Sequence, residues 1–306
     1  MPLLRLLAAL ALVAFLAFLI SGTDFEALKD GFKQVSAAHV IAGLMLVQIQ
    51  IAVSALRWRF TAARLGEAMS LPLAVSEYYV ASFLNQTLPG GVAGDAVRAY
   101  RMRSEGPGGW KRPTKAVLFE RLSGQMAFFV LALGGLFIWP QVLGGEDAGR
   151  LSLHIALGFI LVAAAIGGGM NVIKRRFSWI GQLVDEVGAV FVRDGALFIQ
   201  AGMSLLIVGT YVAGFFLASD AVGAPLPWTA ALTVIPLSLI VMLIPAGMGG
   251  WGTREAAAMA LWPLIGATST EGLAASIVYG GLSLAGALPG LAILTLETIR
   301  GKPRRA

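Results

Sequence analysis

The residues best placed to do chemistry here are charged and polar groups set beside glycine-rich breaks in apolar sequence. One set is Asn85, Gln86, Pro89, Gly90, Gly91 and Gly94, followed by Asp95 and Arg98. The other is Pro245, Gly249 and Gly250, followed by Thr253, Arg254 and Glu255. Glu120 and Arg121 form a third group inside the next apolar run. A guanidinium offers forked donors that match a phosphate, and a helix that starts at a Pro-Gly break points its N–H groups and the positive end of its dipole at whatever lies beyond the break. The chemistry implied is capture of an anionic or zwitterionic headgroup by these sixteen residues. Asp95 and Arg98, three apart on a helix, can pair. Glu120 can counter Arg98. Arg254 and Glu255 are adjacent and face differently, so each is expected to find a separate partner. The competing reading is a lattice of internal ion pairs that only fixes the helices.

Charges at these places need a reason, because the surrounding solvent is lipid. The chain has 306 residues, 57% of them hydrophobic and 13% charged, against roughly a quarter charged in soluble domains. Runs such as 6–20 and 117–140 are long and apolar, and a charge near the middle of a bilayer costs at least ~2.5 kcal/mol on insertion scales, so it usually faces a cavity and pairs. The net charge of +6 lies in segments between apolar runs, which is the positive-inside pattern and not a nucleic-acid footprint. There is no cysteine, hence no disulfide or thiol chemistry. His39 and His154 have no metal-ligand spacing, and no nucleotide-binding loop, metalloprotease or nucleophile-elbow motif is present, so no cofactor, metal or enzymatic activity is expected.

The elements that position the charges repeat. Pro89 and Pro245, like Arg98 and Arg254, are 156 residues apart. The same offset carries apolar runs near 3–20, 38–57 and 114–139 onto runs at 151–172, 195–218 and 272–297. It also relates two amphipathic connectors, Phe25, Leu28, Phe32 and Val35 in one half and Ile180, Leu183, Val187 and Phe191 in the other. The first run, despite Arg5 ahead of it, is read as a retained span and not a cleaved leader. The positive groups Arg57, Arg59 and Arg64 and then Arg101, Arg103, Lys111, Arg112 and Lys115 place both flanks of the first motif on one side, so residues 73–103 enter and leave the membrane on that side. By the same logic Glu146 and Asp147 are outside, Lys174 to Arg176 inside, Asp220 outside and Arg300 to Arg305 inside, with 228–265 as a second hairpin from the opposite face.

The expected fold is therefore an all-α integral membrane protein. It has six full transmembrane helices plus two re-entrant helical hairpins, in inverted halves 1–145 and 146–306, with both termini cytoplasmic. The entering leg at 73–88 spans roughly 24 Å at ~1.5 Å per residue, more than the ~15 Å to the centre of a ~30 Å core. Inverted repeats with broken helices that meet near the midplane are a transporter architecture. Of the weaker polar signals, Glu77 with Tyr78 and Tyr79 is read as structural or interfacial, and at least one of Gln48 and Gln50 as a hydrogen bond between helices.

The stretch Asn85-Gln86-Thr87-Leu88-Pro89-Gly90-Gly91-Val92-Ala93-Gly94-Asp95-Ala96-Val97-Arg98-Ala99-Tyr100-Arg101 resembles the lysylphosphatidylglycerol synthase transmembrane-region family, also called flippase-like or UPF0104 proteins. Phe119-Glu120-Arg121-Leu122-Ser123-Gly124 and the run from Ile244 to Glu255 resemble it as well, so the likeness covers nearly the whole chain. It implies a multi-pass protein of a bacterial or archaeal inner membrane, with a role in moving lipids between leaflets. The implied partners are a phospholipid or a polyprenyl or isoprenoid lipid, with a homo-oligomer or a membrane enzyme as further partners. Ala246 stands where the family has a polar residue after Pro245. The full synthase carries a soluble catalytic domain after its membrane part; this sequence has nine residues after Glu297, so aminoacyl transfer is not expected of it. The alternative function is an assembly or regulatory partner of a lipid- or glycan-modifying enzyme.

The expected sidedness can be checked directly because the chain is cysteine-free. Single substitutions Glu67→Cys and Ser104→Cys should both react with an impermeant maleimide from the cytoplasmic side, and Asp147→Cys from the outer side. Opposite sidedness of positions 67 and 104 would mean that 73–103 crosses from face to face.

Overall fold

A computed structural model describes residues 24–104, 106, 109–144, 153–155, 157–158, 178–242 and 249–300. The expected span at 3–20, most of that at 151–172, and Pro245 with its immediate neighbours lie outside the described residues. Among the described residues the structure is helical, with no strand.

Four helices are long and apolar enough to cross a membrane: Ala37–Arg64, Lys111–Gly135, Arg193–Ala221 and Ser269–Arg300. They match four of the six expected runs. In chain order the helices are α1 (Phe25–Lys33), α2 (Ala37–Arg64), α3 (Leu71–Thr87), α4 (Ala93–Arg101), α5 (Lys111–Gly135) and α6 (Trp139–Leu143). They continue with α7 (Ser178–Phe191), α8 (Ala196–Ala221), α9 (Val234–Val241), α10 (Thr253–Leu261) and α11 (Ser269–Arg300). The chain is thus an integral, multi-pass membrane protein. Large apolar side chains point outward along the spans, as at Val130 (67% exposed) and Leu205 (70%), which water would penalise and hydrocarbon does not.

Local sequence explains where the helices begin. Asp24 accepts hydrogen bonds from the N–H groups of Glu26 and Ala27 and so caps α1. Ser36 and His39 form a reciprocal capping box on α2. Ser70 caps α3, with Pro72 in the first turn, where no N–H is missed. α2 runs 28 residues, roughly 42 Å at ~1.5 Å per residue, seven residues past the expected end. Arg57, Arg59 and Arg64 are therefore helical and not part of a loop.

Two cores hold the helices together. Ala55, Trp58 and Ala62 of α2 pack with Ala74 of α3, Ala99 of α4 and Ala116 and Val117 of α5. Phe215 and Ala218 of α8 pack with Val234, Ile235 and Leu239 of α9, Ala258 of α10, Trp262 and Tyr279. Phe215 stacks on Tyr279 at 4.2 Å between centroids and tilts against Trp262 at 5.7 Å. Gln48 donates to the Gly286 carbonyl and accepts from Tyr79 Oη, which bears out the expected inter-helix role. The connector α1, with Val35 just beyond its end, sets Leu28, Phe32 and Val35 against Val222, Ala224, Ala274 and Ala275.

The chain folds back on itself twice. After α3, the turn at 88–92 brings α4 so close that a side chain on Gly94 would overlap the Ala81 backbone, with its carbonyl carbon at 2.7 Å and its Cα at 2.8 Å. α9 and α10 also pack against each other, and a turn at 249–252 leads into α10. The two turns then meet. Gly91 and Gly249, at φ +62° and +57°, touch, and a Cβ on Gly249 would lie 2.5 Å from Gln86 Cα. Both the left-handed backbone and the close approach require glycine there.

Gly94→Ala should therefore cost about 1–3 kcal/mol, the usual penalty of overpacking. Gly134→Ala in α5, where a Cβ meets nothing within 4 Å, should be neutral or stabilising by about 0.5–1 kcal/mol. Thermal unfolding of the two variants in detergent separates these outcomes; equal melting temperatures would contradict the packing described for Gly94.

Candidate functional site

Where the two turns meet, four helices carry charges into the interior. α2 supplies Arg57, α4 supplies Asp95 and Arg98, α5 supplies Glu120 and Arg121, and α10 supplies Arg254 and Glu255. Arg57, Arg98, Glu120 and Arg254 are at most 3% exposed. Burial this deep is sustained only by pairing.

Glu120 is the hub. It lies nine residues into α5, roughly 13 Å along the helix at ~1.5 Å per residue. Its Oε1 accepts from Arg57 Nη2 at 2.8 Å and from Tyr78 Oη at 3.2 Å, and its Oε2 accepts from Arg98 Nη2 at 2.7 Å. Asp95 Oδ1 pairs with Arg98 Nη2 at 2.8 Å, while its Oδ2 takes Arg121 Nη1 and Asn85 Nδ2, the latter at 3.0 Å. The expected pairs Asp95–Arg98 and Glu120–Arg98 are both present. Arg57 also donates to Ser204 of α8 at 3.0 Å, and Ser204 continues through Ser123 to Gln200 and Thr61.

The second turn departs from one expectation. Arg254 and Glu255, although adjacent, bond directly at 2.5 Å. The reason is local: Glu255 folds back so that its Oε2 accepts from Gly252 N at 2.5 Å at the start of α10, leaving its Oε1 beside the guanidinium. Ser276 of α11 bridges the pair, accepting from Arg254 Nε at 2.9 Å and donating to Glu255 at 3.1 Å. A second departure concerns the helix starts. At α4 the N–H groups of Gly94 and Asp95 go to Asn85 Oδ1, at 2.8 and 3.4 Å, and at α10 Gly252 N goes to Glu255. Those N–H groups are taken up by the protein, so the arginines remain the principal donors.

The two turns repeat one geometry. Each arginine reaches a residue 22 positions on, Arg98 to Glu120 and Arg254 to Ser276. Each also lies between two aromatic rings: Arg98 between Trp58 and Tyr78 at 4.8 and 4.7 Å, Arg254 between Trp251 and Tyr279 at 4.9 and 5.2 Å. Such rings stabilise a buried cation without neutralising it.

A cavity of about 250 Å³ lies between the turns. Of the predicted site residues, it brings together Asn85, Gln86, Gly91, Asp95 and Arg98 from the first turn, Glu120 and Arg121 from α5, and Gly249, Gly250 and Arg254 from the second turn. Glu255 stands behind Arg254. Pro89 and Gly90 lie at the outer end of the first turn, Gly94 is a packing contact, and Thr253 Oγ1 donates to the Gly250 carbonyl. Pro245 is outside the described residues. The wall contains residues that sequence reasoning missed: Arg57, Tyr78, Tyr211 and Tyr279. Arg57 was expected to be a cytoplasmic loop charge, but the unbroken helical pattern through 64 buries it against Glu120.

The cavity is electrostatically unbalanced. The four arginines 57, 98, 121 and 254 face the three carboxylates 95, 120 and 255, an excess of one positive charge. Arg98 Nε and Nη1 are buried with no hydrogen-bond partner, a state that costs roughly 1–3 kcal/mol per group. Chemically the arrangement can receive an anion. Among the described residues no cluster of His, Cys, Asp or Glu suited to a metal is found.

Two comparisons with known proteins bear on this geometry. Residues 3–290 match the family model described as the lysylphosphatidylglycerol synthase TM region. The chain is also similar to a UPF0104 membrane protein of Methanothermobacter thermautotrophicus, 24% identical over 310 residues that cover 88% of this chain and 86% of that one.

Glu120→Gln leaves Arg57 and Arg98 buried without their shared counter-charge and should destabilise the protein by about 3–5 kcal/mol. Adding Arg57→Met should restore part of that loss, because one of the two stranded charges is removed. Denaturation of the single and double variants tests this; a double variant no more stable than the single one would show that Glu120 is not the hub.

Proposed function

We propose that this chain, which belongs to the lysylphosphatidylglycerol synthase TM region family, is a non-catalytic lipid transporter of the flippase type that receives a phosphate-bearing headgroup between its two glycine turns. The observation that carries this reading is the wall of the cavity, where four guanidiniums, Arg57, Arg98, Arg121 and Arg254, outnumber the carboxylates that hold them. A phosphate supplies the charge that the site lacks, and acceptors for guanidinium donors at the wall. Glu120 and Asp95 hold the arginines in place when no headgroup is bound. The competing assembly-partner reading expects a collapsed centre with every charge paired; the charges are paired, and it is the cavity that argues against that reading.

The same proposal includes the finer architecture. Six full spans form inverted halves 1–145 and 146–306 of a bacterial inner-membrane protein with cytoplasmic termini, and 73–103 and 228–265 are re-entrant hairpins whose turns meet near the midplane. Three things support it: the 156-residue offset, the shared 22-residue arginine reach, and the contact between Gly91 and Gly249. A central site with alternating access from either leaflet follows from such an arrangement.

Reconstituted in liposomes, the wild-type protein should exchange a fluorescent anionic phospholipid between leaflets, read by dithionite quenching, and Arg98→Gln should slow the exchange at least about tenfold, the equivalent of one charged hydrogen bond. Exchange no faster than in protein-free liposomes would contradict a transport function.

A further inference from the structure

Away from the cavity, the turn between α4 and α5 carries positive charge that the protein leaves unneutralised. Ser104 N donates to the Gly109 carbonyl at 3.2 Å, and Gly109 N to that of Gly106 at 3.2 Å. These bonds close the turn and bring Arg103 and Trp110 to its two sides. The neighbouring basic residues are paired, Arg101 with Glu77 and Glu297, and Lys115 with Glu186. Arg103, Lys111 and Arg112 are exposed and have no carboxylate partner among the described residues. The first turn of α5 holds no acidic residue that could serve. Two aromatic side chains stand among these cations, Tyr100 at 62% exposure and Trp110 at 58%. The Arg103 guanidinium lies 3.6 Å from the centre of the Tyr100 ring, and its Nη1 donates to the Tyr100 carbonyl at 2.8 Å. Those contacts order the charge without cancelling it.

The helix fixes the depth of this patch. Leu118, Leu122, Met126 and Val130 follow at four-residue spacing on α5 and are all exposed, the face that meets hydrocarbon. Lys111 lies seven residues before Leu118, two turns along the same face and about 10 Å nearer the helix end. There a span leaves hydrocarbon for the headgroup layer, the level at which Trp and Tyr settle and at which anionic lipids attract Lys and Arg. We propose that the α4–α5 turn is a docking surface for the anionic headgroups of the surrounding leaflet, separate from the central cavity. Arg103, Lys111 and Arg112 hold the phosphates, while Tyr100 and Trp110 rest at the boundary between headgroups and acyl chains. The lipids held there are neighbours and not cargo, so docking is independent of whether the chain moves lipid. Its effect is to anchor the outer end of α4, and with it the depth of the helix that carries Asp95 and Arg98.

The test attaches a bimane fluorophore to Ser104→Cys in the full, otherwise cysteine-free chain. The labelled protein is reconstituted in phosphatidylcholine bilayers with brominated phosphatidylglycerol or brominated phosphatidylcholine as the quencher. The anionic quencher should be enriched beside the fluorophore at least about tenfold over the zwitterionic one, given three cations at the surface. Combined Arg103→Gln, Lys111→Gln and Arg112→Gln, checked for intact folding by size-exclusion chromatography, should bring that ratio to about one. Raising the salt from about 0.1 M to about 1 M should lower the ratio of the unsubstituted turn. Arg98→Gln should leave it unchanged. Equal quenching by the two lipids beside the unsubstituted turn would overturn the proposal. So would a preference that survives the triple substitution but is lost with Arg98→Gln, because the lipid would then lie in the cavity.

Discussion

The structure depends on one buried carboxylate. Glu120 holds two guanidiniums from two other helices, and with them ties α2, α4 and α5 to one point inside the protein. Desolvating these charges costs several kcal/mol each, which their mutual attraction recovers only with tight geometry, so the helices cannot slide relative to one another without separating charges in a poorly screening medium. The interaction fixes position more than it adds stability. It also sets the chemistry of the site, because a carboxylate shared by two arginines leaves their remaining donors in need of acceptors, as Arg98 shows.

Glycine makes this arrangement reachable. The turns that carry Arg98 and Arg254 inward can touch because Gly91 and Gly249 adopt left-handed backbone and present no side chain. Gly94 lets α4 lie directly on α3, which sets the depth at which Arg98 enters the core. At the cytoplasmic-facing end expected from the charges, Arg101 is bidentate to buried Glu77 at 2.7 Å and also bonds Glu297 of α11 at 2.7 Å, so α4 is fastened at its far end as well. A helix held at both ends presents its arginine in a defined place, which recognition of a small anionic group requires.

Much of this was legible in the sequence. The apolar runs gave four helices close to their observed ranges, because hydrocarbon imposes length and composition on a span with little ambiguity. The pairing of Arg98 with Asp95 and Glu120 could be anticipated because unpaired charges are not tolerated there. Arg57 was misjudged for a related reason: it shares its residue type and neighbourhood with genuine flanking charges such as Arg59 and Arg64, and periodicity alone does not say which side of a helix meets a carboxylate. The Arg254–Glu255 bond depends on Glu255 turning back to the glycine ahead of its helix, a rotamer choice that residue spacing does not encode. The aromatic neighbours of both arginines are equally hidden, since Trp58 and Tyr279 come from helices remote in sequence.

If the surplus positive charge around Arg98 holds the phosphate of a lipid, as proposed, the purified protein should retain that lipid. Native mass spectrometry of protein released from detergent, wild type against Arg98→Gln, reads this without any assumption about transport. A phospholipid-sized adduct should be retained by the wild type and lost from the variant under the same collision energy. Equal retention by a folded variant would contradict it.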